Sequence, residues 1–233
     1  MLSIATWCLT GLHRLQWSAT TPKAVVEKHA AASSGSIDVD QFVHNVVHKP
    51  SNVFLFGPCG YGKSDLMKTH LVPALKRFYG QEHVLVTAST GLAALAIHGA
   101  TIHSLCGMGL GKGSAADILA RQHPKVRARL QHCKCLLVDE ISMVPADLFG
   151  KLDQVLRSIR RLPGVPFGGV KLIIVGDFAQ LPPPSDIHSG IEMPMELPDS
   201  KVTKAAMVAA YAFESESWRA AEFTCYRLTY CWR

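Results

Sequence analysis

Four short apolar runs punctuate the chain: residues 53–56, 84–86, 135–138 and 172–175. None alternates with polar residues, as expected for strands covered on both faces. Between them apolar side chains recur at helical spacing. Residues 64–79 place Leu66, Met67, Leu71, Leu75 and Phe78 on one side, with a kink predicted at Pro73. A small-residue helix is predicted over 92–97 and a basic helix over 115–134. From Pro145, an amphipathic helix carries Leu148, Phe149, Leu152, Val155, Leu156 and Ile159. Ahead of the first run, residues 36–41 open a helix to about His48, which residues 49–52 break. Residues 212–233 read as a short helix and a strand. The alternation predicts an α/β fold with a parallel central sheet built from the four runs and helices on both faces.

The remaining stretches carry less pattern. Glycines at 107, 109, 111 and 113 read as a mobile loop, because no Lys-Ser/Thr and helix follow in register for a second phosphate site. The proline-rich residues 182–200 read as a loop or insertion. Residues 1–36 have no acidic side chain before Glu27 and read as a disordered tail, with a mitochondrial presequence as the alternative. The expected organisation is therefore a tail over 1–36 and one domain over 37–233.

Composition narrows the function classes. With 48% hydrophobic residues the 233-residue chain can bury a sizeable core. The net charge of +6 tilts the choice of partner toward an acidic one such as nucleic acid. The basic helix over 115–134, with Arg121, Lys125, Arg127, Arg129 and Lys134, reads first as a solvated face and second as a nucleic-acid contact. Seven cysteines, an odd number without a Cys-x-x-Cys pair, argue against a zinc site or a full disulfide framework and for reduced intracellular thiols. No apolar run is long enough to cross a membrane as a helix.

The candidate chemistry sits at the ends of the four runs. The first feeds Gly57, Pro58, Cys59, Gly60, Tyr61, Gly62, Lys63 and Ser64, a Gly-x-x-x-x-Gly-Lys-Ser phosphate-binding pattern between a strand and a helix. Its glycines let backbone N–H groups turn inward, Lys63 can reach the β- and γ-phosphates of ATP, and the Ser64 hydroxyl can ligate Mg²⁺. An ordinary glycine-rich turn is the bland reading, and the strand–turn–helix context disfavours it. The third run ends in Asp139 and Glu140, suited to holding Mg²⁺ and to polarising an attacking water. The fourth ends in residues 176–180, where the neutral Gln180 could sense the γ-phosphate. A buried Asp-Glu pair with no such role would be costly, because two like charges would lose water together. In open parallel sheets ligands bind beyond the carboxyl ends of the strands, so these clusters should meet on one edge.

With these residues in view, the sequence resembles the petite-integration-frequency (Pif-type) DNA helicases of the RecD-like branch of helicase superfamily one. The phosphate loop, Thr87-Ala88-Ser89-Thr90-Gly91-Leu92-Ala93-Ala94, Thr101-Ile102-His103-Ser104, Asp139-Glu140-Ile141-Ser142-Met143 and Gly176-Asp177-Phe178-Ala179-Gln180-Leu181-Pro182-Pro183 fall in the family's order from about residue 37 onward. The last two pieces argue against an unrelated phosphate-loop kinase. The resemblance implies a RecA-like motor domain with ATP and Mg²⁺ as cofactors and single-stranded DNA as partner. It implies a 5′-to-3′ helicase acting in repair, recombination and telomere maintenance, in the nucleus or mitochondrion. It makes Gln41 an adenine contact, Lys63, Glu140 and Gln180 catalytic, and Ser64 and Asp139 metal-holding. Thr87, Ser89, Thr90, Gly91, His103 and Ser104 become single-strand contacts, and Arg233 a γ-phosphate contact. Cys59 and Tyr61 depart from the small residues usual in the family's loop. The family continues into a second motor domain, so these 233 residues are expected to match only the first. A second domain or second chain would complete the site, and the alternative is a nucleotide- and DNA-binding module without unwinding activity.

Overall fold

Each apolar run becomes a strand because its side chains are covered from both sides. The computed structural model describes residues 38–183 and 211–228. Helix α1 (Val39–His48) is capped by the Asp38 carboxylate, which accepts from the N–H groups of Asp40 and Gln41. Strand β1 (Val53–Phe56) leads into the phosphate loop and α2 (Lys63–Leu66). A π-helical segment, Met67–Leu71, joins α2 to α3 (Val72–Tyr79). Pro73 sits just beyond it, so the predicted kink takes the form of a widened turn. Proline has no N–H for the regular ladder, and its ring crowds the carbonyl four residues back.

Strand β2 (Val84–Ala88), α4 (Gly91–Ala96), the two-residue β3 (Ala100–Thr101) and α5 (Ile102–Leu105) follow. The basic stretch forms two helices, α6 (Ala115–Arg121) and α7 (Pro124–His132), where one was expected. The break is at His123, whose ring accepts from the Lys125 N–H, and Pro124, which starts α7 at its first position. Then come β4 (Cys135–Asp139), α8 (Ala146–Arg160), β5 (Lys171–Gly176), α9 (Glu216–Ala220) and β6 (Thr224–Arg227). The glycine-rich stretch is a defined series of turns, with left-handed backbone at all four glycines.

The sheet holds six strands in the order β3-β2-β4-β5-β1-β6, every pair parallel. The four predicted strands are its centre. β3 and β6 are the edges, too short or too exposed to read as apolar runs. Alternate residues of the central strands point to opposite faces. Leu136, Val138, Leu172 and Ile174 pack beneath α6, α7 and α8. Leu55, Leu137, Ile173 and Val175 pack beneath α1, α3 and α4. Phe78, expected on the buried side of its helix, is 52% exposed in the last turn of α3, where its ring meets those of His48 and Tyr79 edge-on. Two polar side chains pin the layers. Lys171 donates to the carbonyls of Val46 and Lys49 at the end of α1. Asn52 donates to Ala221 O at 2.6 Å and accepts from the Leu172 N–H at 2.8 Å, tying β1 to β5 and α9. The described residues belong to one compact unit that begins at Ile37. The tail read over 1–36, residues 184–210 and the terminal Arg233 lie outside the described residues.

Candidate active site

Register fixes where the chemistry gathers. Phe56 pairs with Gly176, Val138 with Ile174 and Ala88 with Asp139, so the carboxyl ends of β1, β2, β4 and β5 lie level. Gly57, Ser89, Glu140 and Asp177 therefore leave the sheet from the same edge, the arrangement expected from the sequence.

The phosphate loop is shaped by two glycines in left-handed backbone, Gly60 (φ 79°) and Gly62 (φ 83°), the second capping α2. Gly57 is required for a different reason: a Cβ there would lie 2.8 Å from the Leu228 carbonyl oxygen. Pro58, Cys59 and Gly60 are exposed and Tyr61 is half-buried. The Lys63 ammonium is buried under the loop, donating to Gly57 O at 2.6 Å and Pro58 O at 3.0 Å. The loop thus positions a cation against its own backbone, where a phosphate oxygen can exchange for a carbonyl.

Ser64 and Asp139 meet across 75 residues of sequence: the Ser64 hydroxyl donates to Asp139 Oδ2 at 3.0 Å. Asp139 Oδ1 accepts from the Glu140 N–H at 2.9 Å. Burial pushes the Asp139 carboxyl up to about 6, against the pull of these hydrogen bonds and of Lys63, with the Glu140 charge adding to the rise. Glu140 has left-handed backbone (φ 52°, ψ 49°), uncommon for a residue with a Cβ, which turns its side chain away from the sheet axis. Gly176 makes room for this turn, since a Cβ there would lie 3.0 Å from the Ile141 nitrogen. Gln180 is held by Asp177, whose carboxylate accepts from Gln180 Nε2 at 3.1 Å and whose carbonyl accepts from the Gln180 N–H at 3.0 Å.

The expected strand contacts divide. Ser89, Thr90 and Gly91 lie at the carboxyl end of β2, and the Thr90 hydroxyl caps α4. His103 and Ser104 lie on α5, capped by Thr101. Thr87 differs from the others: it is fully buried and its hydroxyl donates to Leu137 O on the neighbouring β4 at 2.7 Å. Gln41 is an exposed residue in the first turn of α1. Sequence reasoning missed Asp177 as the anchor of Gln180. It also missed a buried hydroxyl at this edge, Ser142 Oγ, which, like that of the expected contact Ser89, has no partner among the described residues. Only its place within the Asp-Glu-Ile-Ser-Met piece signalled it.

The family model for PIF1-like helicases matches residues 37–233. The chain belongs to the PIF1-like helicase family. It is 44% identical over 170 residues to the ATP-dependent DNA helicase PIF1 of Saccharomyces cerevisiae, covering 72% of this chain and 18% of that protein. It is 39% identical over 195 residues to the ATP-dependent DNA helicase PIF1 of Homo sapiens, covering 82% and 26%. The crystal structure of a Pif1 helicase from Candida albicans superposes with a TM-score of 0.68 at 33% identity, over 83% of this chain and 39% of that one. A Bacteroides Pif1 helicase in complex with ADP-AlF3 and single-stranded DNA superposes with a TM-score of 0.61 at 26% identity, over 86% and 43%. The parallel sheet with flanking helices is thus the RecA-like motor fold of this family, and the chain spans less than half the length of these relatives.

Proposed function

We propose that this chain is the ATP-hydrolysing motor domain of a 5′-to-3′ DNA helicase, coupling Mg-ATP turnover to movement along single-stranded DNA. The observation that carries the reading is the 3.0 Å contact of Ser64 with Asp139 beside the buried Lys63. It brings a hydroxyl, a carboxylate and a cation together at the end of a phosphate loop. The residues fit Mg²⁺: Ser64 and Asp139 bring two oxygen ligands together, and Mg²⁺ needs only one or two protein oxygens when phosphates and water supply the rest. Bound there, Mg²⁺ would neutralise phosphate charge.

The chain's own residues then have separate tasks. Backbone N–H groups of residues 59–63 hold phosphate oxygens, and Lys63 stabilises charge on the γ-phosphate. Glu140 orients a water and takes its proton on the carboxylate. Gln180, braced by Asp177, senses whether the γ-phosphate is present and passes this to the strand-binding residues. Ser89, Thr90, Gly91, His103 and Ser104 grip the strand, and Gln41 reads the adenine. An arginine from a second motor domain or a second chain completes the γ-phosphate side. Work in repair, recombination and telomere maintenance, in the nucleus or mitochondrion, belongs to the same reading.

Lys63→Ala tests it. Turnover should fall by about a hundredfold or more, as when one preorganised charge donor is removed, with nucleotide affinity falling in parallel. A variant that binds and hydrolyses ATP like the parent would reject the site.

A further inference from the structure

The strands being parallel, their amino ends share the opposite edge of the sheet, far from the phosphate loop. Helix α8 starts after β4 and ends before β5, so its last turn lies toward this edge. There it lines, with α6 and α7, two adjoining hollows of about 480 and 550 Å³ that share Leu119, Ser158 and Arg161. Together they form one open groove with an apolar floor.

The walls are cationic and hydrogen-bonding: Arg127 and Gln131 from α7, Gln154, Arg157 and Arg161 from α8 and its cap. Among the described residues no carboxylate lines the groove. Asp153, the nearest acid on α8, is buried and already bonded to Arg157, the Phe167 N–H and Ser217. Asp117 on α6 closes a capping box with Ser114. Arg157 is therefore neutralised, whereas the Arg161 side chain has no partner among the described residues and Arg127 meets only the Leu119 carbonyl.

Arg161 is also the left-handed cap of α8 (φ 57°, ψ 36°), the position where glycine is favoured. A long cationic side chain occupies this position despite the strain.

We propose that this groove is a second nucleic-acid contact, gripping the phosphate backbone of a strand other than the one held at the ATP edge. Planar guanidinium groups match phosphate oxygens, and Gln131 and Gln154 supply the neutral donors usual in backbone contacts. The choice of nucleic acid over an acidic peptide rests on the helicase reading above, under which the motor meets a second strand at every fork. The groove is separate from the edge that carries nucleotide.

The test uses the full 233-residue chain and a fluorescent forked DNA. Arg127→Glu/Arg161→Glu should weaken fork binding roughly tenfold and flatten its salt dependence by about 0.7 in log–log slope for each lost single-strand phosphate contact. ATP affinity should stay unchanged, which checks the fold, and Arg161→Gln should fall between parent and double variant. A photo-crosslinker at position 158 should capture the fork, and excess duplex or single strand added as competitor identifies which arm is held. Crosslinking at position 104 but not at 158 would overturn the groove while leaving the strand-binding reading intact. Capture at neither position would overturn both. Equal competition by polyglutamate would overturn the assignment to nucleic acid.

Discussion

At the residue scale, backbone conformation and burial carry more information than residue type. Glu140 and Arg161 are both left-handed without being glycine, and each presents a charged group at an edge of the sheet. Such positions cost on the order of 1 kcal/mol or more. Arg161→Gly should therefore raise the stability of the domain by about 1 kcal/mol in a urea titration while losing the groove's cation; no gain would mean the cap is unstrained. His103 makes the pH case. Half-burial on α5 lowers its pKa, so at neutral pH the imidazole is neutral. The sign is that of a depressed group: stability from the neutral ring is fully present above its ordinary value of 6.5 and is lost as pH falls through the lowered one. His103→Gln should flatten the dependence of the melting temperature on pH below 6.5 and leave the neutral-pH value nearly unchanged. An unaltered profile would show that another group titrates there.

At the element scale, the four central strands were legible because each is apolar without interruption, and their carboxyl-terminal polar clusters were legible because that chemistry needs few residue types. The edges were less so. β3 has two residues and produces no run; β6, half-exposed along Thr224–Arg227, was read only as a strand somewhere in 212–233. The division of 115–134 was missed although Pro124 marked it, because the basic side chains on both sides suggested continuity. The fate of Thr87 depended on which way one strand residue points, and a one-residue change of register would have reversed it. Asp153, a polar residue on the amphipathic α8, carried no signal of its role. The structure makes it the joint between α8, the turn at Phe167 and α9, with four contacts of 2.6 to 2.9 Å. Asp153→Ala would leave Arg157 and the Phe167 N–H without their partner. It should destabilise the domain by about 2 kcal/mol, less than for a fully buried ion pair because Arg157 is partly exposed. A loss under about 1 kcal/mol would mean that the joint is held by the surrounding apolar packing.

At the scale of the whole molecule, one parallel sheet separates two tasks. Its carboxyl edge brings Lys63, Ser64, Asp139, Glu140 and Gln180 together from β1, β4 and β5. Its amino edge carries the arginine groove between α6, α7 and α8. Parallel strands make this division unavoidable, since every loop that leaves a strand end emerges on one edge. The central claim is that the carboxyl edge is an ATP-hydrolysing centre in which Glu140 activates water. Single-turnover hydrolysis by Glu140→Gln, measured beside equilibrium binding of the same nucleotide, tests it most directly. Replacing the carboxylate by an amide removes the proton acceptor and leaves the loop, Lys63 and the Ser64–Asp139 contact in place. ATP should bind with the affinity of the parent and its γ-phosphate should remain uncleaved. Cleavage at the parent's rate would contradict the claim.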